Sequence, residues 1–364
     1  MKKQLFRILS LLLILGLLLP LGGCGVPKVK VAGETTTFTD DCARTVTVPK
    51  EIHRVAPSGA VAQMILTAIA PDLLAGLSGT PGTSQLRYLP ENYVDLPTFG
   101  QFYGAKSTLN LETLLAADVD IIIDLGDKKA GHASDMNGIQ KQCGIPTIFI
   151  ETTLDKFAGA YRKLGVLLDR EERGEELAAY IENTVETAKA LAATIPEAER
   201  KTVMYGSGTS GLNCNARGSI QADVLELVGA VNAIVVPQKE LSNSGGGNTI
   251  NMEQLYLFDP DVILLTEGGP YARIGEDEVW QRLRAVQNGD YYEIPCLPYN
   301  WLSSPPSVNR ILGIWWLGNL LYPEVFDYDM ADKVVEFYAL FYGTELSREE
   351  AEAMLRNSTG KRAP

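Results

Sequence analysis

Leu109-Asn-Leu-Glu-Thr-Leu-Leu-Ala-Ala-Asp-Val-Asp-Ile-Ile-Ile123 recurs 141 positions later as Ile250-Asn-Met-Glu-Gln-Leu-Tyr-Leu-Phe-Asp-Pro-Asp-Val-Ile-Leu264. Asn110 and Asn251, Glu112 and Glu253, Leu114 and Leu255, Asp118 and Asp259, and Asp120 and Asp261 coincide. Each copy opens with an Asn suited to N-cap a helix and an acid in the first turn, where the helix dipole favours negative charge. Each closes in an apolar, β-branched run, the pattern of a strand buried on both faces. A helix leading into a buried parallel strand therefore occurs twice.

The match extends upstream. Arg54-Val-Ala-Pro-Ser-Gly59 runs into an apolar helix over about Ala60–Ala70, and Lys201-Thr-Val-Met-Tyr-Gly206 runs through a glycine-rich loop towards a helix over about Gln221–Val228. Alternating strands and helices predict an α/β fold: two Rossmann-like lobes with mainly parallel sheets. Between them Leu177, Ile181, Val185, Ala188 and Leu191 recur every three or four residues, and Pro196 follows. That spacing predicts one amphipathic helix over about Arg170–Thr194, a rod of about 36 Å joining the lobes. The expected organisation is a leader over 1–23, a flexible tether over 24–40, an N-terminal lobe over 41–169, the connecting helix over 170–196 and a C-terminal lobe over 197–364. A ligand cleft is expected where the carboxyl ends of the two sheets face each other.

The leader is basic from Met1 to Arg7, almost purely apolar from Ile8 to Leu21, and ends Leu21-Gly-Gly-Cys24. This is the pattern of a secretory signal peptide. Leu-Gly-Gly-Cys resembles the lipobox of bacterial lipoproteins, which implies a lipid on Cys24 and an extracytoplasmic, membrane-anchored protein. The 364 residues carry a formal charge of −13, or −16 once the three basic residues of the leader are set aside. Such a surface repels phosphate backbones and excludes nucleic acid as a partner. Cys42, Cys143, Cys214 and Cys296 remain, with no C-x-x-C spacing, so their pairing stays open.

Together these features resemble the solute-binding proteins of ABC importers, in the group that serves ferric siderophores, haem and cobalamin. The resemblance rests on the lipobox, the entry segment Thr39-Asp-Asp-Cys-Ala-Arg-Thr-Val-Thr-Val-Pro49, the duplicated Asn-x-Glu helix with its Asp-x-Asp strand, Gly144-Ile-Pro-Thr-Ile-Phe-Ile150, and Pro305-Pro-Ser-Val-Asn-Arg310 leading to Trp315, Trp316 and Leu321-Tyr-Pro-Glu324. Cys42-Ala43 departs from the family's usual small residue and glycine. The resemblance implies capture of a ligand, foremost a ferric siderophore, and delivery to an ABC permease and its ATPase. It implies no resident cofactor and no chemical step.

The loops after the strands supply the candidate ligand contacts Ser58, Tyr103, Lys128, Thr209, Ser210, Asn213, Tyr271, Arg273, Tyr299, Trp301 and Arg310. The aromatic residues offer flat faces to a bulky chelate, and the cations neutralise an anionic one. Trp315 and Trp316, inside an apolar helix, read as core. His53 and His132 are the sole histidines, too few for a His-rich site for bare zinc or manganese. His132 is expected as a solvated loop residue. Gly206-Ser-Gly-Thr-Ser-Gly211 fits G-x-G-x-x-G, but the next helix starts about ten residues later, too far for pyrophosphate to sit on its N-terminus. It reads instead as glycine-rich cleft lining. A hydrolase lacks support, because G-x-S-x-G and H-E-x-x-H are absent. The alternative cargo is a molybdate- or tungstate-type oxyanion, held by backbone and hydroxyl donors and Arg310.

Overall fold

The computed structural model describes residues 33–359 except 105–106, 243–245 and 304. The leader, Cys24 and most of the tether lie outside the described residues. The expected tether runs too far, because Thr35–Thr39 forms strand β1, antiparallel to β2 at Thr45–Pro49. Its β-branched threonines favour pairing over a free tail. Between the two strands Asp40 accepts from the Cys42 and Arg44 N–H groups at 3.0 and 2.9 Å. Arg44 returns a 2.9 Å ion pair to it.

The N-terminal lobe holds a parallel sheet in the order β3 (Val55–Pro57), β4 (Ile121–Gly126), β5 (Thr147–Glu151). Helix α1 (Ala60–Ile69) follows β3, α2 (Leu111–Ala116) leads into β4, α3 (His132–Cys143) follows it, and α4 (Phe157–Leu168) follows β5. Helix α5, Glu171–Ala193, then crosses to the other lobe.

The C-terminal lobe holds β6 (Thr202–Ser207), β7 (Asn213–Cys214), β8 (Val231–Asn232), β9 (Asn248–Thr249), β10 (Val262–Leu265) and β11 (Tyr291–Glu293). Its order is β11-β10-β6-β7-β9, with β8 also beside β6. β6, β8, β10 and β11 are parallel, whereas β7 and β9 run antiparallel at one edge. Helices α6 (Asp223–Leu227), α7 (Met252–Phe258), α8 (Asn309–Leu321), α9 (Met330–Tyr342) and α10 (Arg348–Leu355) complete it.

The duplication holds at the level of hydrogen bonds. Asn110 Oδ1 accepts from Thr113 N–H at 3.1 Å to start α2, and Asn251 Oδ1 accepts from Gln254 N–H at 2.8 Å to start α7. Asp118 and Asp259 both take left-handed backbone, with φ of 48° and 36°, and reverse the chain into the strand. Asp and Asn tolerate that conformation better than other side chains carrying a Cβ.

One apolar core runs through both lobes, and each sheet has a satellite cluster on its other face. α5 packs against α4 and α8, while α9 reaches over to pack against α1. At this junction Tyr88 meets Tyr338 edge-on at 5.5 Å, Tyr161 meets Phe341 at 6.4 Å, and Phe337 stacks on Phe341 at 4.3 Å. Arg173 on α5 donates to the Ala68 carbonyl of α1 at 3.1 Å and to the Leu340 carbonyl of α9, tying both lobes to the connecting helix. Trp315 and Trp316 are buried in this core. Among the described residues no helix is long and apolar enough to cross a membrane.

Candidate functional site

A cavity of 270 Å³ opens between the lobes at the carboxyl ends of β3 and β4. Its N-lobe wall is Ser58, the start of α1 from Gly59 to Ala62, Gln101, Tyr103, Asp124 to Asp127, Lys129 and His132. Ile220, Gln221, Pro305 and Pro306 face them from the C-lobe. Larger hollows of 570 and 920 Å³ lie between α4 and α5, beside Glu151 at the end of β5, and beneath the C-lobe; neither is lined by residues of both lobes. The interlobe cavity is the one at the position where open α/β sheets bind ligands.

Asp124 lies in the buried run of β4 and is saturated. Ser58 Oγ–H donates to its Oδ1, and Tyr103 O–H and His132 Nε2–H donate to its Oδ2 at 2.8 and 2.6 Å. Lys129 N–H points at His132 Nδ1 at 3.4 Å, which assigns the ring proton to Nε2. His132 also lies 3.9 Å, centroid to centroid, from the Phe149 ring. The expected solvated histidine is thus a 3% exposed member of the cavity wall. The start of α3 turns it inward onto Asp124. Burial first, then the Asp124 charge, pushes the Tyr103 phenol far above its usual range, so this hydroxyl remains a donor.

The first turn of α1 holds no acid, and Gly59 gives it no side-chain cap. Its free N–H groups and the positive end of its dipole face the cavity. Behind Ile220 of the opposite wall Arg310, 1% exposed, donates to the Ile220 carbonyl at 3.2 Å and pairs with Asp223. Its Nε–H is buried without a partner, as are Gln221 Oε1 and Ser307 Oγ beside it. Arg310 is close enough to act on Asp127, whose carboxyl is raised by burial, lowered by Arg310 and raised again by Asp223.

Of the residues singled out from sequence, Ser58 and Tyr103 line the cavity, and Arg310 bonds to Ile220 behind it. The others are elsewhere. Trp301 is fully buried, its indole N–H donating to the Leu297 carbonyl at 3.2 Å. Tyr299 packs on the main core, and burial pushes its phenol up to about 12. These aromatics follow prolines but fold under α8 instead of facing the cleft. Lys128 turns away to the Asp41 carbonyl at 2.8 Å. Tyr271 lies beside Tyr291 at 5.8 Å, and Arg273 donates to the Thr209 carbonyl at 2.7 Å. Ser210 Oγ accepts from Leu212 N–H at 3.2 Å, and Asn213 Oδ1 accepts from the Thr249 hydroxyl at 2.9 Å. The glycine-rich loop is therefore a hairpin turn from β6 into antiparallel β7, not cleft lining. The segment that does reach the cleft is Ile220-Gln221, further along the chain.

Asp124 and Gln221 were missed as contacts. An acid inside the otherwise apolar Ile121–Leu125 run, near its carboxyl end, was the available signal for Asp124. Nothing local marks Gln221. Cys42, Cys143, Cys214 and Cys296 are free thiols.

Known proteins agree with this geometry. The chain is 24% identical over 344 residues to the molybdate-binding protein MolA of Haemophilus influenzae, covering 86% of this chain and 93% of that one. An ABC transporter solute-binding protein from Sulfurospirillum deleyianum superposes with a TM-score of 0.79 at 30% identity, over 88% of this chain and 99% of that one. The molybdate-bound structure of MolA superposes with a TM-score of 0.65 at 19% identity, over 86% and 99%. The profile of the periplasmic binding protein family matches residues 56–296. With two lobes, an interlobe cavity and a profile match over most of its length, the chain belongs to the periplasmic binding protein family: it is an extracytoplasmic solute-binding component of an ABC transporter.

Proposed function

We propose that the protein captures a small oxyanion of the molybdate or tungstate class and hands it to an ABC permease and its ATPase, held at the membrane by a lipid on Cys24. The observation that carries this is the uncapped, acid-free start of α1, which lines the cavity, together with Arg310, fully buried behind Ile220 of the opposite wall with an unpartnered Nε–H. A buried guanidinium and a bare helix N-terminus are donors that a compact anion satisfies from both sides. The 270 Å³ cavity suits a tetrahedral ion better than a bulky chelate. MolA, a relative over nearly the whole chain, is named for molybdate.

A ferric siderophore is the second reading, supported by the ring of Tyr103 at the cavity wall. Its aromatic platform is thinner than the sequence implies, because Tyr299 and Trp301 lie in the core. Thermal unfolding against molybdate, tungstate, sulfate, ferric siderophores, haem and cobalamin separates the two. A ligand at 100 times its Kd adds about 2.7 kcal/mol and raises Tm by several degrees. A rise with molybdate or tungstate alone is expected; a rise with a chelate alone overturns the proposal.

A further inference from the structure

Asp127 is the cavity carboxyl that has no hydrogen-bond donor among the described residues. Asp124, its neighbour on the same wall, is saturated by Ser58, Tyr103 and His132. Around Asp127 stand Arg310 from α8, Asp223 from α6, Lys129 from its own loop and Glu151 from the end of β5. Asp223 pairs with Arg310 and Lys156 pairs with Glu151, so each nearby charge but Lys129 is already engaged. A carboxylate left in this cavity would repel the dianion that Arg310 and the start of α1 are arranged to attract. A neutral carboxylic acid in the same place becomes one more donor aimed at the same ligand.

We propose, building on the oxyanion reading, that Asp127 holds the captured dianion as a neutral carboxylic acid, so that capture takes up one proton from solvent and release returns it. Burial shifts the free carboxyl towards the neutral form without completing its protonation, because Arg310 pulls the other way. The dianion then adds a second negative charge beside it and pushes the equilibrium further the same way. Arg310 and the α1 amides supply attraction at any pH, and Asp127 makes it conditional. Because the carboxyl is a positioning donor and not a permanent charge, the site discriminates against ligands at high pH without losing its fixed cation.

Calorimetric titration of the full chain with sodium molybdate, between pH 7 and 8 in two buffers of different ionisation enthalpy, tests this. The expected result is uptake of close to one proton per ion and an affinity that falls about tenfold per pH unit. Asp127→Asn, whose amide donates without titrating, is expected to bind with one affinity across that range and to take up no proton. Asp127→Ser is a second, smaller replacement with the same expected loss of slope. Wild-type binding without proton uptake, or a slope retained in both variants, overturns the inference while leaving oxyanion capture standing. Failure of the wild-type protein to bind molybdate, tungstate or sulfate at any pH overturns both.

Discussion

Asp120 and Asp261, 141 positions apart, make the same hydrogen-bonded closure in the two lobes. Asp120 N–H donates to the Arg54 carbonyl at 2.9 Å while its Oδ2 accepts from the Arg54 and His53 N–H groups at 2.8 Å. Asp261 N–H donates to the Thr202 carbonyl at 2.9 Å while its Oδ2 accepts from Thr202 N–H at 2.8 Å and from the Thr202 hydroxyl at 2.7 Å. Each aspartate thus fastens the entry of the lobe's first parallel strand, β3 or β6, to the entry of its neighbour, β4 or β10, and so fixes where the carboxyl ends emerge at the cleft.

Replacing Asp261 by Ala leaves the Thr202 N–H without its partner and is expected to cost about 1 to 2 kcal/mol in denaturant unfolding. Burial opposes the charge of Asp261, but Thr202 and the Arg284 guanidinium outweigh it and hold the carboxyl below the usual range. A lowered carboxyl stabilises the fold above its unfolded value, about 3.9, and loses that contribution as pH falls through the lower folded value. Asp261→Asn should therefore flatten the acid limb of a stability-versus-pH curve, and an unchanged limb would contradict the assignment.

Gly313 sits where α8 crosses the loop that buries Trp301, and a Cβ there would strike the Trp301 carbonyl oxygen. Gly313→Ala is expected to lower Tm by many degrees, because backbone on both sides must move. A Tm within a degree of wild type would show that the loop is free to yield.

Arg310→Ala removes the buried cation and strands Asp223. Loss of one partner of a buried charged contact costs about 2 kcal/mol or more, so molybdate affinity should fall by about thirtyfold or more. Arg310→Lys keeps a charge but not the planar fork, and is expected to recover part of the loss. Equal affinities in all three proteins would remove Arg310 from the site.

The lobes share a core at Tyr161, Tyr180, Phe337 and Phe341, so ligand capture should close the cleft by no more than a few degrees. Solution scattering with and without ligand is expected to give the same radius of gyration within error; a marked compaction would contradict a fused junction. Phe341→Ala should cost about 3 to 5 kcal/mol.

If the proposed lipid on Cys24 is the anchor, Cys24→Ala is expected to release the protein from the membrane fraction. Continued sedimentation with membranes would point to another attachment.

Much of the architecture was legible because it is periodic. The Asn-x-Glu helix and Asp-x-Asp strand lie within 15 consecutive residues in each copy, and the α5 heptad-like spacing places that helix at Glu171–Ala193, within a residue at each end of the Arg170–Thr194 expectation. The cavity was legible in part. Ser58 follows a strand that sequence identifies, and Arg310 sits awkwardly at a helix N-terminus, so both drew notice. Trp301 and Tyr299 misled because only the fold shows that the loop carrying them dives under α8. His132 looked solvated because its partner, Asp124, is fixed by strand register and not by neighbouring residues. The β6–β7 reversal hid Gln221, since an antiparallel strand of two residues leaves almost no periodic trace.

The reach of α9 back onto α1 and α4 has a consequence for how the chain is made. Tyr338 and Phe341 complete the packing around Tyr88 and Tyr161, residues synthesised far earlier. The first lobe consequently lacks its finished interior until the polypeptide is almost fully translated. The two lobes therefore set together, and not one after the other, once the last helices have been made.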